Sequence, residues 1–162
     1  MDADRNERLQ GLYEEHGRKL LAYALSITRH RESAEDAVHG AIARLASRPW
    51  LPRRLAPYAY RCVRNAAIDA CRRNGRRRET VFDAGAVADE PGDAALLPHL
   101  ESLLERLSPD EREAIVLHAI DGLAFREVAA VRRRSINTVA SHYRRGLQKL
   151  RQLWSETENG AS

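Results

Sequence analysis

"SPDEREAIVLHAIDGLAFREVAAVRRRSINTVASHYRRGLQKLRQLW", Ser108 to Trp154, is the stretch whose reading decides the fold of this chain. Ser108, Pro109 and Glu111 supply an N-cap, a proline at the first helical position and an acidic residue at the third, a combination that starts a helix. Ile115, Val116, Ala119 and Ile120 follow at helical spacing, and Gly122 ends the run. Phe125, Val128, Ala129 and Val131 define a second short helix. Arg132, Arg133 and Arg134 then make a corner, Ser135 supplies another cap, and Ile136, Val139, Tyr143, Leu147, Leu150 and Trp154 form the apolar stripe of a long helix. Short helices joined by a tight corner to a long, exposed one make a helix-turn-helix. Opposite the stripe stand Asn137, Thr138, Ser141, His142, Arg144, Arg145, Gln148 and Lys149, groups that reach base edges or phosphates in a major groove. With Arg133 and Arg134 at the corner they form a candidate duplex-reading surface. A helical hairpin packed on protein has the same spacing, so the rest of the chain has to discriminate.

Ahead of this stretch, Leu100, Leu103, Leu104 and Leu107 form a short helix after Pro98. Residues 79–98, "ETVFDAGAVADEPGDAALLP", hold five acidic residues, no basic ones and few large apolar side chains, the composition of a flexible tether. Residues 48–78 invert that balance, with ten Lys+Arg against one acidic residue, so the net charge of +4 is unevenly spread. A basic stripe beside an acidic tether points to a polyanion partner. A solvated arginine face has the same composition.

The amino-terminal half is also helical in period. Leu9, Leu12, Tyr13, His16, Leu20, Tyr23, Ala24 and Ile27 recur at three and four. Ser33, with Asp36 three residues on, resembles a capping box that opens a second helix carrying Val38, Ile42 and Leu45. "SRPWLPRRLAP", residues 47–57, has three prolines in eleven residues and reads as an ordered loop. From Pro57 a third helix runs through Tyr60, Val63, Ala67, Ala70 and Cys71 to "RRNGRRR", where Asn74-Gly75 ends it. No window alternates with period two. The expectation is an all-α protein of two helical domains, residues 1–78 and 99–162, joined by a flexible acidic linker at 79–98.

Several function classes drop out. The chain has 162 residues, no run near the roughly 20 apolar residues of a membrane span, and no apolar segment in "MDADRNERLQ", so a cytoplasmic address is expected. Cys62 and Cys71 lie on opposite flanks of one helix, a poor geometry for a bridge. Six histidines and two cysteines show no C-x2-C, H-x3-H or H-E-x-x-H spacing, so no metal is expected. There is no Gly-rich phosphate loop and no nucleophile elbow; no catalytic residue, cofactor or enzyme activity is expected.

Three blocks carry a resemblance. "LYEEHGRKLLAYALSITRHRESAEDAVHGAIARL" and "APYAYRCVRNAAIDACRRNGRRR" resemble the two halves of region two of bacterial extracytoplasmic-function sigma factors. "LERLSPDEREAIVLHAIDGLAFREVAAV", with "SINTVASHYRRGLQKLR", resembles their region four. The resemblance implies a transcription initiation factor that docks on core RNA polymerase, recognises minus-ten and minus-thirty-five promoter elements and opens the duplex. It implies promoter DNA as a partner, an anti-sigma factor as a further one, a monomer when free, and an acidic linker lying in the polymerase's basic channel.

Opening a duplex requires that unstacked bases gain stacking partners and hydrogen bonds beside a basic track. Trp50, Tyr58, Tyr60, Arg61, Arg64 and Asn65 supply those groups, and Arg53, Arg54, Arg72, Arg73, Arg76 and Arg77 hold phosphates. Trp50 has a second reading as a core plug, and Tyr60 as a core residue on the apolar stripe. Polymerase docking falls on Asp36, His39 and Arg44, supported by Ile42 and Leu45. The chain departs from the family pattern at His39, Gly40, Ile42 and Ala46 of the docking helix, at Tyr58 where Trp is common, and at the arginine corner. The competing functional reading is a sigma-like decoy for an anti-sigma factor or a stand-alone helix-turn-helix regulator.

Overall fold

In a computed structural model that describes residues 2–73 and 97–160, these residues are mostly helical, and no strand occurs among them. Helices α1 (Asp2–Thr28), α2 (Arg31–Ala46) and α3 (Leu55–Arg73) belong to one compact unit, Met1–Asp83. Helices α4 (Leu97–Glu105), α5 (Pro109–Ile115), α6 (Phe125–Arg132) and α7 (Ile136–Gly160) belong to the other, Ala84–Ser162. The all-α expectation holds. The Asn74-Gly75 stop and most of the acidic linker lie outside the described residues.

In the first unit each helix packs on the other two. Alanines on α2, Ala34, Ala37 and Ala41, bring its backbone close to its neighbours, and Leu20, Tyr23, Leu45, Tyr60 and Val63 fill the centre with no exposure. Each such large apolar side chain contributes roughly 1.5–3 kcal/mol on burial, which is why the three-and-four spacing specifies the bundle. Tyr60 meets His16 edge-on at 6.0 Å and Tyr23 at 5.7 Å between ring centroids. Tyr13, expected on the apolar face, is exposed.

The expected cap of α2 moves by three residues. His30, not Ser33, is the N-cap: its Nδ1 accepts the Ser33 backbone N–H at 3.2 Å. Arg29, with φ of 54°, takes the left-handed conformation and turns the chain early, so Ser33 already lies in the first turn. Both cysteines are free, Cys62 buried and Cys71 exposed, in keeping with their opposite flanks.

The second unit starts as the sequence predicts: the Ser108 Oγ accepts the Glu111 N–H at 3.3 Å, with Pro109 at the first helical position. The helix does not continue regularly to Gly122. It widens into a π turn at Val116–Ile120, where the Asp121 N–H reaches the Val116 carbonyl at 2.8 Å. Gly122, with φ of 78°, completes the reversal. His118, inside that turn, donates from Nδ1 to the Leu123 carbonyl at 2.7 Å and stacks on Phe125 at 4.0 Å, with Tyr143 edge-on at 4.9 Å. Helix α7 crosses α5 at Gly146, where an added Cβ would lie 2.5 Å from Ile115 Cδ1. Any larger residue requires Ile115 to move.

The corner between α6 and α7 is a left-handed residue, Arg133, with φ of 55°, and the Arg134 N–H closes it on the Ala129 carbonyl at 3.1 Å. Ser135 then caps α7, accepting the Thr138 N–H at 3.1 Å.

Candidate nucleic-acid and polymerase interfaces

The loop from α2 to α3 carries Trp50 at 63% exposure, which excludes the core-plug reading. Beside it the Arg48 guanidinium lies 4.6 Å from the Tyr58 ring centroid and 5.5 Å from that of Trp50. A cation against two rings is worth about 0.5–1 kcal/mol per contact at an exposed site, enough to order the ring faces without sealing them. Nothing in the sequence marks Arg48 except its charge, because a proline-rich loop has no period to single it out.

On α3, Tyr58, Arg61, Asn65 and Arg72 recur at three, four and seven and so share one face. Tyr58 and Arg61 are half-buried; Asn65, Arg72 and Arg73 are exposed. Arg64 is half-buried, and Arg53 and Arg54 of the loop are exposed. Tyr60 is a correction. Two residues beyond Tyr58 the helix has turned about 200°, so its ring points into the bundle with no exposure and no base can stack on it. Arg76 and Arg77 lie outside the described residues. Under this face, burial pushes the Cys62 thiol up against the pull of Arg44, Arg48, Arg61 and the Tyr58 hydrogen bond, so it packs as a neutral group.

Helix α2 presents Asp36 and His39 one turn apart, and Arg44 further along, all exposed. Ile42 is half-buried and Leu45 is fully buried beneath them.

In the second unit Arg133, Arg134, Asn137, Arg144 and Arg145 are exposed and Ser141 is half-buried. Arg144 donates to the Ser141 Oγ at 3.5 Å, and the Thr138 Oγ1 lies 2.8 Å from the Ser135 Oγ, which ties Thr138 into the cap. Three polar side chains at or near this face make contacts within the protein. Arg132 has a side chain only 2% exposed, paired with Asp110 and, at 2.6 Å, with Glu113. Being the last residue of α6, it extends toward α5; a buried guanidinium persists only with such partners. His142, half-buried, stands 3.5 Å from Arg132 and 4.0 Å from Asp110. Lys149 donates to Glu111 at 2.6 Å.

These ties reset two carboxyls. Burial pushes Asp110 up, but the hydrogen bond and charge of Arg132, with His142 and Arg134 behind them, outweigh it and hold the group below its ordinary value. Burial likewise raises Glu111, and Lys149, Ser108 and Arg145 together bring it below its ordinary value. Both are anions at neutral pH. Among the described residues no group of His, Cys, Asp and Glu is arranged to hold a metal ion, and no helix is long and apolar enough to cross a membrane.

A helical unit with a cation–aromatic loop between α2 and α3, together with a unit built around a helix-turn-helix, has the features of a DNA-binding protein. The Sigma-70 region 2 family matches residues 12–77, and the Sigma-70, region 4 family matches residues 99–150. The chain is 30% identical over 161 residues to RNA polymerase sigma factor CarQ of Myxococcus xanthus, covering 94% of this chain and 92% of that protein. It is 32% identical to ECF RNA polymerase sigma factor SigE of Mycolicibacterium smegmatis, covering 81% of this chain and 54% of that protein. Among solved structures it is similar to CnrH in complex with the cytosolic domain of CnrY, with a TM-score of 0.69, 25% identity and coverage of 93% and 90%. The fold is shared with RpoE in complex with the anti-sigma factor NepR from Bartonella quintana, with a TM-score of 0.73, 24% identity and coverage of 90% and 95%. The chain belongs to the extracytoplasmic-function group of RNA polymerase sigma factors. It is a transcription initiation factor, which binds core RNA polymerase, directs it to promoters and assists their opening.

Proposed function

We propose a division of that work between the two units, with residues 79–98 as the tether. The outer face of α2, through Asp36, His39 and Arg44, docks on core polymerase. Trp50, Tyr58, Arg61, Arg64 and Asn65 capture unstacked minus-ten bases, while Arg53, Arg54, Arg72 and Arg73 hold phosphates. Asn137, Ser141, Arg144 and Arg145, with Arg133 and Arg134 at the corner, read the minus-thirty-five duplex. The observation that carries this reading is the exposed Trp50 beside the Arg48–Tyr58 contact, at the head of the polar face of α3. Rings with open faces next to cations suit single-stranded bases better than a closed duplex.

The factor acts in the cytoplasm, as a monomer when free, and no residue in it has a catalytic role. An anti-sigma factor is a further partner: the similar protein CnrH is bound to a cytosolic domain, and docking and DNA faces of this size have to be covered while the factor is idle.

Run-off transcription with purified core polymerase and a promoter library tests the reading, since transcripts report initiation and the recovered sequences report the elements. Tyr58→Ala should leave closed-complex binding near wild type and reduce permanganate-reactive thymines. Asn137→Ala should weaken duplex binding by roughly 1–3 kcal/mol and relax one upstream position. A chain that binds duplex DNA yet gives neither transcript nor melted bases with its own host's core enzyme would be a stand-alone regulator or a decoy.

A further inference from the structure

The loop that carries Trp50 is gripped at both ends from α1. At its start, Arg5 donates to the carbonyls of Leu45, at 3.3 Å, and Ala46. These are the last two carbonyls of α2, past the reach of its regular ladder, and that of Leu45 also accepts the Arg48 N–H at 3.3 Å. At the loop's finish, Arg8 donates to the Pro52 carbonyl at 2.6 Å and the Arg53 carbonyl at 3.3 Å. The two arginines are three residues apart, about one helical turn, so one face of a rigid helix sets the distance between the two ends of the loop. Trp50 stands between the gripped points with its ring outward.

Neither arginine belongs to the matched region: the Sigma-70 region 2 match begins at residue 12. The grip reaches from outside the matched residues onto a loop inside them. It also differs from ordinary helix capping, because the Arg8 partners are loop carbonyls that no helix leaves over. Prolines 49 and 52 remove two backbone donors from this loop, so its carbonyls have fewer partners of their own and a guanidinium fork can satisfy two at once.

We propose that Arg5 and Arg8 are positioning residues for promoter opening: they hold the loop between α2 and α3 in the shape that presents Trp50 to an unstacked promoter base. The inference rests on the base-capture role proposed above for Trp50. Its energetic content is that of charged hydrogen bonds: losing Arg8 should lower the held population of the loop about tenfold, and the opening rate with it.

The experiment compares wild type, Arg8→Ala, Arg8→Lys and the double variant Arg5→Ala/Arg8→Ala in full holoenzyme on a promoter recovered from the transcription library. Arg8→Ala should slow the appearance of permanganate-reactive thymines about tenfold while core binding and closed-complex affinity stay unchanged and the first unit, with a slightly lower thermal midpoint, remains folded at the assay temperature. Arg8→Lys, which keeps a donor, should recover part of the rate. In a Trp154→Phe background Trp50 is the sole tryptophan, and acrylamide should quench it more readily in Arg8→Ala than in wild type. Opening unchanged in the double variant overturns the proposal, as does opening that falls only in step with core binding or with the folded fraction at the assay temperature. Unchanged Trp50 quenching in the double variant overturns it too. A wild-type holoenzyme that opens no promoter defeats the base-capture reading instead, and the quenching comparison then still decides whether the arginines hold the loop.

Discussion

In the first unit the arginines of α1 reach backbone carbonyls, Arg5 at Leu45 and Ala46 and Arg8 at Pro52 and Arg53; in the second, Arg132 and Lys149 reach the carboxylates of Asp110, Glu113 and Glu111. The two units need their cations for different purposes. Helices α1 to α3 are 27, 16 and 19 residues long and bring broad apolar faces to one another. Helices α5 and α6 have 7 and 8 residues, below the roughly 12 at which an isolated helix becomes even marginal in water. They depend on ties to their neighbours, and the charged ties link α5 to α6 and to α7. Carbonyls do not titrate and carboxylates do, so the two units should respond differently to substitution and to acid.

The sharpest way to break that contrast is Arg132→Ala. It strands Glu113, 12% exposed, without its cation, while Asp110, at 46%, can turn to water, so the cost falls at or below the low end of the roughly 3–5 kcal/mol of a fully buried pair. The second unit should unfold early in urea, seen as an early Trp154 fluorescence transition, while the Trp50 transition of the first unit stays in place. Gly146→Ala comes next. Its methyl would meet Ile115 Cδ1 at 2.5 Å, and overpacking of this kind costs about 1–3 kcal/mol, read as a lower thermal midpoint of the second unit.

Acid should reproduce part of the Arg132 effect. Asp110 and Glu111 have folded values below their ordinary 3.8 and 4.5, so their contribution is fully present above those values and is lost as pH falls through the folded ones. Urea midpoints measured at stepped pH should therefore drop for the Trp154 transition below about pH 4.5, with a shallower drop in Arg132→Ala.

The smallest effects are two stabilisations with opposite backbone causes. Arg133→Gly relieves a left-handed residue and should raise the stability of the second unit by up to about 1 kcal/mol, while removing a corner charge from the proposed DNA face. Gly40→Ala should raise the first unit by about 1 kcal/mol, since nothing lies within 4 Å of the added methyl. Differential scanning calorimetry of the two variants checks both.

Much of this was legible in the sequence. The three-and-four periodicity of Leu20, Tyr23, Leu45, Tyr60 and Val63 gave the bundle, and Ser108-Pro109 gave the start of α5, because apolar burial and capping are local or periodic in their demands. Less legible were the identities of the partners. Arg132, Arg133 and Arg134 are one run in the sequence, yet Arg132 is buried while the other two are exposed. The helix end at Arg132 and the left-handed residue at Arg133 break the helical path, so the three side chains leave the backbone in different directions. The π turn at Val116–Ile120 was hidden for a related reason, since its one inserted residue disturbs periodicity over too few positions to register.

By itself, then, the sequence determined an all-helical chain in two halves, the helix-turn-helix, the aromatic–basic character of the stretch around Trp50, and the family resemblance, all of which depend on spacing and residue type. Only the tertiary structure decided which polar groups are tied up within the protein. It drew Arg132, His142 and Lys149 into contacts with Asp110 and Glu111, buried Tyr60 against His16 and Tyr23, and joined Arg5 and Arg8 to carbonyls more than forty residues away along the chain, except for the nearest, Leu45, at forty. The physical reason is that a long polar side chain has the same local signature whether it ends in water, on a phosphate or on a partner across the fold. What it meets is settled when helices distant in sequence pack together.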